Sequence, residues 1–247
     1  MTDFPYHLTP DDAALKRLGL IVLQVDETVE DDLRRLLPAT AARLHITRIP
    51  SGAELTPETI AQMQHDLSHA AQLLPDAPFD VIGYACTSGA TLIGPDRITA
   101  QVRAGRAAAH VTSPLTAAFA AIRAVDAKSV AIVSPYIAPV AQPICEAFTA
   151  QGLDVTASLS FGEKVERNVA RIDAASIRAA ALKVATSNPD CIFLSCTNLR
   201  TLDIIADLER DTGCTVLSSN QVLGWHMARL AQITVSGNAA ERLFQTT

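Results

Sequence analysis

The 247-residue chain is poor in aromatic residues, which make up 4% of it, and it contains no cluster of lysine or arginine. With a formal net charge of −6, neither a nucleic acid nor an anionic membrane is expected as a partner. No apolar run approaches the roughly 18 residues of a transmembrane helix. The opening stretch MTDFPYHLTPDD lacks the basic and apolar regions of a signal peptide. These absences predict a cytoplasmic protein.

Sequence motifs for metals and nucleotides are also missing. The five cysteines include no CxxC pair, an odd number fits a reducing compartment, and no pair of histidines has the spacing of a zinc site. There is no G-x-G-x-x-G or Walker loop, and the nucleophile elbow G-x-S-x-G of serine hydrolases is absent. We therefore expect neither a metal nor an organic cofactor.

Short apolar runs alternate with longer, alanine-rich amphipathic runs along the chain. The apolar runs, which predict strands, cover residues 18–25, 44–49, 79–85, 129–136, 153–160 and 191–195. The amphipathic runs, which predict helices, cover residues 28–37, 56–74, 138–152 and 176–187. This alternation predicts an α/β protein in which helices cover both faces of parallel sheets.

The second half of the chain repeats the first at a shift of 110 residues. DVIGYACTS at 80–88 aligns with DCIFLSCTN at 190–198, and the same shift carries Gly52 onto Gly162 and Asp26 onto Tyr136. We infer two pseudo-symmetric lobes, each a parallel sheet flanked by helices, with the active site in the cleft between them. The first lobe is predicted to comprise residues 1–115 and 221–247, and the second residues 116–220.

The repeat places Cys86 and Cys196 at the ends of corresponding strands. Ligands of parallel α/β sheets bind beyond these ends, so both thiols are expected at one cleft. Each cysteine precedes a predicted helix start, which would lower the thiol pKa towards a reactive thiolate. Two such thiols suffice for racemisation, or for cis–trans isomerisation through addition to a C=C bond. The remaining cysteines are expected to be inert core residues: Cys145, Cys191 and Cys214.

The paired motifs ACTSGA and SCTNLR resemble those of the aspartate/glutamate racemase superfamily, which carries one catalytic cysteine per lobe. Together with GLIVLQVDETVEDD and IVSPY, they are most similar to its maleate isomerase and arylmalonate decarboxylase branch. The resemblance covers residues 18–230. It implies a cofactor-independent isomerase of small carboxylic acids, similar to maleate cis–trans isomerase.

The resemblance also implies roles for individual residues. Cys86 matches the nucleophile and Cys196 the proton donor. The small run TSGA, whose backbone N–H groups can approach the sulfur closely, separately predicts that Cys86 has the lower pKa of the two thiols. Tyr136 matches a substrate-binding tyrosine, and Asn168 matches an asparagine that binds a substrate carboxylate. The remaining expected donors to the substrate flank the two cysteines: Thr87, Ser88, Thr197 and Asn198.

Two departures from the family pattern bear on the substrate. Arylmalonate decarboxylase lacks the first cysteine, which disfavours simple decarboxylation. Maleate isomerases have asparagine where this chain has Asp26, whose carboxylate would repel a dicarboxylate or accept a hydrogen bond from an ammonium group. Asp26 also suits the N-terminus of the helix predicted at 28–37. Ectoine-utilisation proteins of this branch look similar at VDETVE, which implies an amino-acid substrate.

Three functions therefore remain open: cis–trans isomerisation of a maleate-like acid, racemisation of an aspartate-, glutamate- or diamino-type amino acid, and non-catalytic binding of a small acid. The partner in each case is a small carboxylic or amino acid. The sequence also leaves open whether the chain forms a homo-oligomer.

Overall fold

The computed structural model describes residues 3–9, 15–54, 56–238 and 240–246. The opening MTDFPYHLTPDD therefore lies partly outside the described residues. None of the helices in the described ranges combines the length and the apolar character that crossing a membrane requires.

The first half of the chain forms a four-stranded parallel sheet in the order β2-β1-β3-β4. Its elements follow in chain order: β1 Lys16–Leu23, α1 Val29–Leu36, β2 Ala42–Ile49, α2 Pro57–Gln72, β3 Phe79–Ala85, α3 Thr87–Ile93, α4 Pro95–Gly105, β4 Ala108–Thr112 and α5 Pro114–Ala124. The central strand β1 is buried from Leu18 to Leu23, as expected for a strand covered on both faces. Helix α1 buries Val29, Leu33 and Leu36, which share one helical face.

The second half forms another four-stranded parallel sheet, in the equivalent order β6-β5-β7-β8. Its elements are β5 Ser129–Ser134, α6 Ala138–Ala150, β6 Asp154–Ser160, α7 Glu166–Val169, α8 Ala174–Ala185, β7 Cys191–Leu194, a 3-10 turn Leu202–Ile204, α9 Ile205–Thr212, β8 Thr215–Ser218, α10 Ser219–Ala231 and a last 3-10 turn Arg242–Gln245. The shared strand order confirms the predicted pair of α/β lobes.

Each half ends with a helix, α5 in the first and α10 in the second, that packs against the sheet of the other half. Helix α10, which follows β8, lies against α1, β3 and α5 of the first half. In α5, Phe119 meets Phe148 of α6 with ring centroids 5.1 Å apart. The last 3-10 turn returns to the second half, where the Arg242 amide donates to Glu209 Oε2 at 2.9 Å. These contacts between the halves hold the two sheets together. The exact lobe boundaries stay a prediction.

Candidate active site

Cys86 lies directly after β3 and caps the N-terminus of α3. Its Sγ accepts a hydrogen bond from the Gly89 amide at 3.2 Å and lies 3.6 Å from Ser88 Oγ. A Cβ atom at position 89 would lie 2.5 Å from the Tyr84 hydroxyl and 2.9 Å from the Cys86 sulfur. Glycine is therefore required there for the backbone to approach the thiol so closely. The thiol is enclosed, with 2% of Cys86 exposed.

Cys196 occupies the equivalent place after β7. Its Sγ accepts a hydrogen bond from the Asn198 amide at 3.4 Å, and its own amide donates to Ser219 Oγ at 3.0 Å. The residue is 4% exposed. Tyr136, in the loop after β5, hydrogen-bonds the Cys196 side chain and interacts electrostatically with the thiols of both Cys196 and Cys86. The buried tyrosine hydroxyl thus links the two cysteines.

The two Cys-Thr segments are tied together by hydrogen bonds that cross between the halves. Thr87 Oγ1 and Ser219 Oγ are 2.8 Å apart, and Ser219 also accepts from the Cys196 amide. In the opposite direction, Thr197 Oγ1 donates to the Ala85 carbonyl oxygen at 3.3 Å. Each threonine therefore positions the backbone beside the other cysteine. Ser219 is a site residue that the sequence analysis missed, although a shift of about 106 residues in this region places it on Ser113.

Asp26 caps the start of α1 with one carboxylate oxygen, and its contact with a substrate stays a prediction. Its Oδ1 accepts hydrogen bonds from the amides of Thr28 and Val29, both at 2.8 Å, and so caps the start of α1. Its Oδ2 is buried and accepts no hydrogen bond of normal geometry, although the Thr197 hydroxyl lies close enough to lower the pKa of Asp26. Burial raises the pKa of Asp26, and the carboxyl group in turn raises the pKa of Cys196. The second oxygen is thus available on the side of the thiols.

Asn198 connects loops of both halves. Its Oδ1 accepts from the Glu27 amide at 2.9 Å, and its Nδ2 donates to the Glu166 carbonyl oxygen at 3.0 Å and to Glu166 Oε2 at 3.2 Å. Both hydrogen bonds from its side-chain nitrogen are therefore donated to Glu166. Asn198 therefore positions the carboxyl group of a residue that the sequence analysis did not select.

Glu166, in the short helix α7, lies near both cysteines. Its carboxyl group is buried and raises the pKa of Cys86, Cys196 and Tyr136 by electrostatic interaction. Burial raises the pKa of Glu166 itself to about 7, against the opposing hydrogen bond from Asn198.

Asn168 occupies a different position from the one expected for a carboxylate-binding residue. Its side chain is exposed and donates to Glu163 Oε2 at 3.1 Å, so the structure does not bring it to the thiols. Glu166, two residues earlier, stands there instead. Its proposed contact with a substrate carboxylate stays a prediction, which this geometry does not favour.

Burial governs the acidity of both thiols. It raises the pKa of Cys86 to about 11, although the Ser88 hydroxyl and the Gly89 amide act in the opposite direction. It also raises the pKa of Cys196 well above the ordinary value. The expectation that the helix start lowers the thiol pKa was therefore wrong in its net direction, because desolvation outweighs the hydrogen bonds.

Loops from the two halves meet beside this cluster. Glu54 and Val165 form an isolated antiparallel bridge, the Glu166 amide donates to the Ala53 carbonyl oxygen at 3.1 Å, and Lys164 Nζ lies 3.2 Å from Glu54 Oε1. The loops are related by the 110-residue shift, which also pairs two glycines of positive φ, Gly52 at 54° and Gly162 at 70°.

No cluster of metal-ligating side chains was found among the described residues. Of the three remaining cysteines, Cys191 is buried within β7, and Cys145 and Cys214 are half-buried. All three lie outside the hydrogen-bonded network that joins Cys86 to Cys196.

Comparison with known proteins identifies the family of the chain. The family model described as arylmalonate decarboxylase matches residues 18–244. The chain belongs to this family. It is 30% identical over 205 residues to arylmalonate decarboxylase from Bordetella bronchiseptica, covering 79% of this chain and 85% of that protein. It is 27% identical over 242 residues to maleate isomerase from Nocardia farcinica, covering 94% and 96% respectively.

A solved structure adds chemical detail for one member of the family. A cysteine-to-serine mutant of the Nocardia farcinica maleate cis–trans isomerase, which carries a covalently bound succinylcysteine intermediate, matches with a TM-score of 0.84. The identity is 26%, and the match covers 94% of this chain and 100% of that one. The chain is thus a maleate cis–trans isomerase-like enzyme of the arylmalonate decarboxylase family.

Proposed function

We propose that this enzyme isomerises a small unsaturated carboxylic acid, with Cys86 as the nucleophile and Cys196 as the proton donor. The observation that carries the proposal is the pair of buried thiols at equivalent strand ends, where Tyr136 interacts with both and Ser219 connects the Thr87 hydroxyl to the Cys196 amide. The succinylcysteine intermediate of the Nocardia farcinica enzyme supports a covalent cysteine route. A maleate-like cis acid is the first candidate substrate.

The proposed reaction is balanced without any added reactant. Cys86 first gives its thiol proton to the solvent and then adds as a thiolate to one carbon of the C=C bond, and the displaced electron pair on the neighbouring carbon takes the proton of Cys196. Rotation about the resulting single bond brings the substituents to the trans arrangement. The Cys196 thiolate then removes a proton from the same carbon, the C=C bond re-forms, and the Cys86 thiolate leaves.

Hydroxyl groups around the thiols supply the donors for a substrate carboxylate. Burial raises the pKa of Tyr136 well above its ordinary value, so its hydroxyl stays protonated and can donate. Ser88 Oγ lies beside the Cys86 sulfur. Thr87 and Thr197 use their hydroxyls to join the two halves, which makes them positioning residues for the cysteines.

Amino-acid racemisation is the second candidate. The same two thiols suffice for it, and the buried carboxyl groups of Asp26 and Glu166 favour a substrate with a positively charged nitrogen.

All five cysteines are free thiols, as is typical of a reducing compartment, which supports a cytoplasmic location for the reaction.

Intact-protein mass spectrometry after incubation with maleate tests the assignment of the two thiols. We expect Cys196→Ala to accumulate a covalent adduct on Cys86, because addition does not require the second thiol, and Cys86→Ala to form none. Cys145→Ala is the control and should form fumarate at the wild-type rate, measured by NMR. An adduct on Cys196 in the Cys86→Ala variant would reverse the roles. Exchange of deuterium into an amino acid in D₂O, with no adduct in any variant, would favour racemisation.

Ser219→Ala should slow adduct formation by more than about tenfold, because it leaves the buried Cys196 amide without a partner and frees Thr87. We also expect a loss of about 1–3 kcal/mol in the free energy of unfolding. Ser113→Ala is the matched control: this serine caps α5 by accepting from the Thr116 amide. It should cost about 1 kcal/mol of stability and leave the rate of adduct formation unchanged. Equal kinetic losses in both variants would contradict the positioning role of Ser219.

A further inference from the structure

Two carboxyl groups are buried beside the reactive thiols. Asp26 is 3% exposed and Glu166 is 4% exposed. They come from different halves of the protein, and each raises the pKa of Cys196. They also act on each other, because Asp26 raises the pKa of Glu166. Asn198 connects the two acids, because its Oδ1 accepts from the Glu27 amide next to Asp26 and its Nδ2 donates to Glu166 Oε2.

The hydrogen bonds of these acids leave part of each carboxyl group unused. Asp26 Oδ2 is buried without a hydrogen-bond partner. The Thr197 hydroxyl lies close enough to lower the pKa of Asp26, but its single proton is donated to the Ala85 carbonyl oxygen at 3.3 Å and not to Oδ2. Glu166 Oε2 accepts a hydrogen bond from the neutral Asn198 amide. The cap of α1 uses only Asp26 Oδ1. It therefore does not explain why the carboxyl groups of Asp26 and Glu166 are both buried here.

The described residues supply no cationic partner in contact with these two acids. Arg48 lowers the pKa of Asp26 by electrostatic interaction, without an ion pair to its carboxylate. The Arg48 guanidinium donates to the carbonyl oxygens of Leu23, Gln24 and Asp26 and pairs with Glu30 at 2.7 Å. A buried carboxylate without a paired charge is costly. A ligand that brings a positive charge would remove that cost.

We propose that the substrate carries a protonated nitrogen in place of one carboxylate, and that Asp26 Oδ2 and the Glu166 carboxylate hold this nitrogen. The inference rests on the proposed isomerase function and specifies its substrate class: a small acid with one carboxylate and one amino group. The carboxylate end meets the hydroxyl groups of Tyr136 and Ser88. A dicarboxylate would instead place its second negative charge against two buried acids.

Binding of such a ligand is linked to protons. Burial raises the pKa of Glu166 to about 7, so about half of the molecules carry this proton at pH 7. A bound ammonium group lowers the pKa of Glu166 and Asp26, so its binding releases protons, whereas a dicarboxylate takes them up. The other titratable groups facing the pair are Arg48 and, with raised pKa values that keep them protonated at this pH, Cys86, Cys196 and Tyr136.

Isothermal titration calorimetry with unreactive saturated compounds tests the inference on the wild-type enzyme. The probes are 3-aminopropanoate, 4-aminobutanoate and succinate, each titrated at pH 7 in two buffers of different ionisation enthalpy. We expect at least one amino compound to bind more than about tenfold tighter than succinate, with proton release. Tighter binding of succinate, no binding of either amino compound, or proton uptake with the amino compounds would overturn the inference.

Charge-removing variants locate the nitrogen. Asp26→Asn and Glu166→Gln should each weaken binding of the amino compound by about tenfold and strengthen binding of succinate. Asp31→Asn makes the same charge change on the exposed face of α1, where its side chain is 86% exposed, and should change neither affinity. Unchanged affinities in both site variants would place the nitrogen elsewhere and overturn the assignment.

These measurements separate the two proposals. Because the probes have no C=C bond, binding is independent of the cysteine chemistry. Preference for an amino compound, with no Cys86 adduct from maleate or from an unsaturated amino acid such as 4-aminobut-2-enoate, would retain this inference and overturn the isomerase mechanism. An adduct with maleate, together with tighter binding of succinate, would do the reverse.

Discussion

The protein will be more resistant to heat at pH 6 than at pH 8. Burial raises the pKa of Glu166 and Glu241 to about 7, from an ordinary value of 4.5, and that of Asp32 to about 6, from 3.8. A carboxyl group whose pKa is raised in the folded state binds its proton more tightly there than in the unfolded chain. Its contribution to stability is complete below the unfolded pKa and is lost as the pH rises through the folded pKa.

The size of the effect follows from the window between pH 8 and pH 6. One pKa unit corresponds to about 1.4 kcal/mol, so the two glutamates together contribute about 3 kcal/mol across this window. His226 opposes them, because burial lowers its pKa from 6.5 to about 4 and the unfolded histidine takes up a proton near pH 6. The net gain is about 2 kcal/mol, or roughly 4–8 °C in melting temperature for a chain of this size.

Differential scanning calorimetry at pH 6, 7 and 8 measures this dependence. The double variant Glu166→Gln/Glu241→Gln should lose most of the gain at pH 6, since the amides do not titrate. Glu146→Gln, on the exposed face of α6, should retain the wild-type profile. A melting temperature that rises from pH 6 to pH 8 would contradict the raised pKa of both glutamates and would mean that they stay ionised in the folded protein.

The sequence predicted the symmetry of the molecule because the repeat preserves positions that the backbone cannot vary freely. The shift of 110 residues relates the strands around Cys86 and Cys196, and the structure places both cysteines at equivalent strand ends. It also relates Gly52 and Gly162, which both adopt a positive φ. Such features depend on local backbone conformation, which is encoded in short stretches of sequence.

The side chains inside the cleft were harder to predict, because their orientation depends on contacts between the halves. In a helix, residues 166 and 168 are about 200° apart around the axis, so only one of them can face the cleft. The four-residue helix α7 has no apolar periodicity from which to choose between Glu166 and Asn168. The antiparallel bridge from Glu54 to Val165 and the amide of Asn198 fix that choice, and both are long-range contacts.

The acidity of the thiols depends on the same long-range packing. A Cys-Thr motif before a helix is visible in the sequence, and the Gly89 amide does donate to the Cys86 sulfur. The depth of burial depends on how loops from the two halves close over the site. Closure removes water from Cys86 and brings the Glu166 carboxyl group near it, and both changes raise the thiol pKa.

Alkylation of Cys86 by iodoacetamide will therefore accelerate steeply with pH. Only the thiolate reacts, and the Cys86 pKa of about 11 leaves the thiol protonated over the neutral range. Between pH 7 and pH 9 the thiolate fraction, and with it the rate, should increase by about a hundredfold. Because iodoacetamide is neutral, this increase reports ionisation of the thiol and not the charge preference of the cleft.

Peptide mass spectrometry after a timed quench measures the rate at Cys86 separately from that at Cys196. Half-buried Cys145 in the same digest serves as the reference for reagent and pH. Glu166→Gln removes a neighbouring negative charge and should accelerate alkylation of Cys86 about three- to tenfold at pH 8, equivalent to half to one pKa unit. A rate at Cys86 that levels off below pH 8 in the wild type would mean that the amide of Gly89 and the start of α3 stabilise the thiolate more than burial disfavours it. Cys86 would then be a resting thiolate nucleophile, and substrate binding would not be needed to activate it.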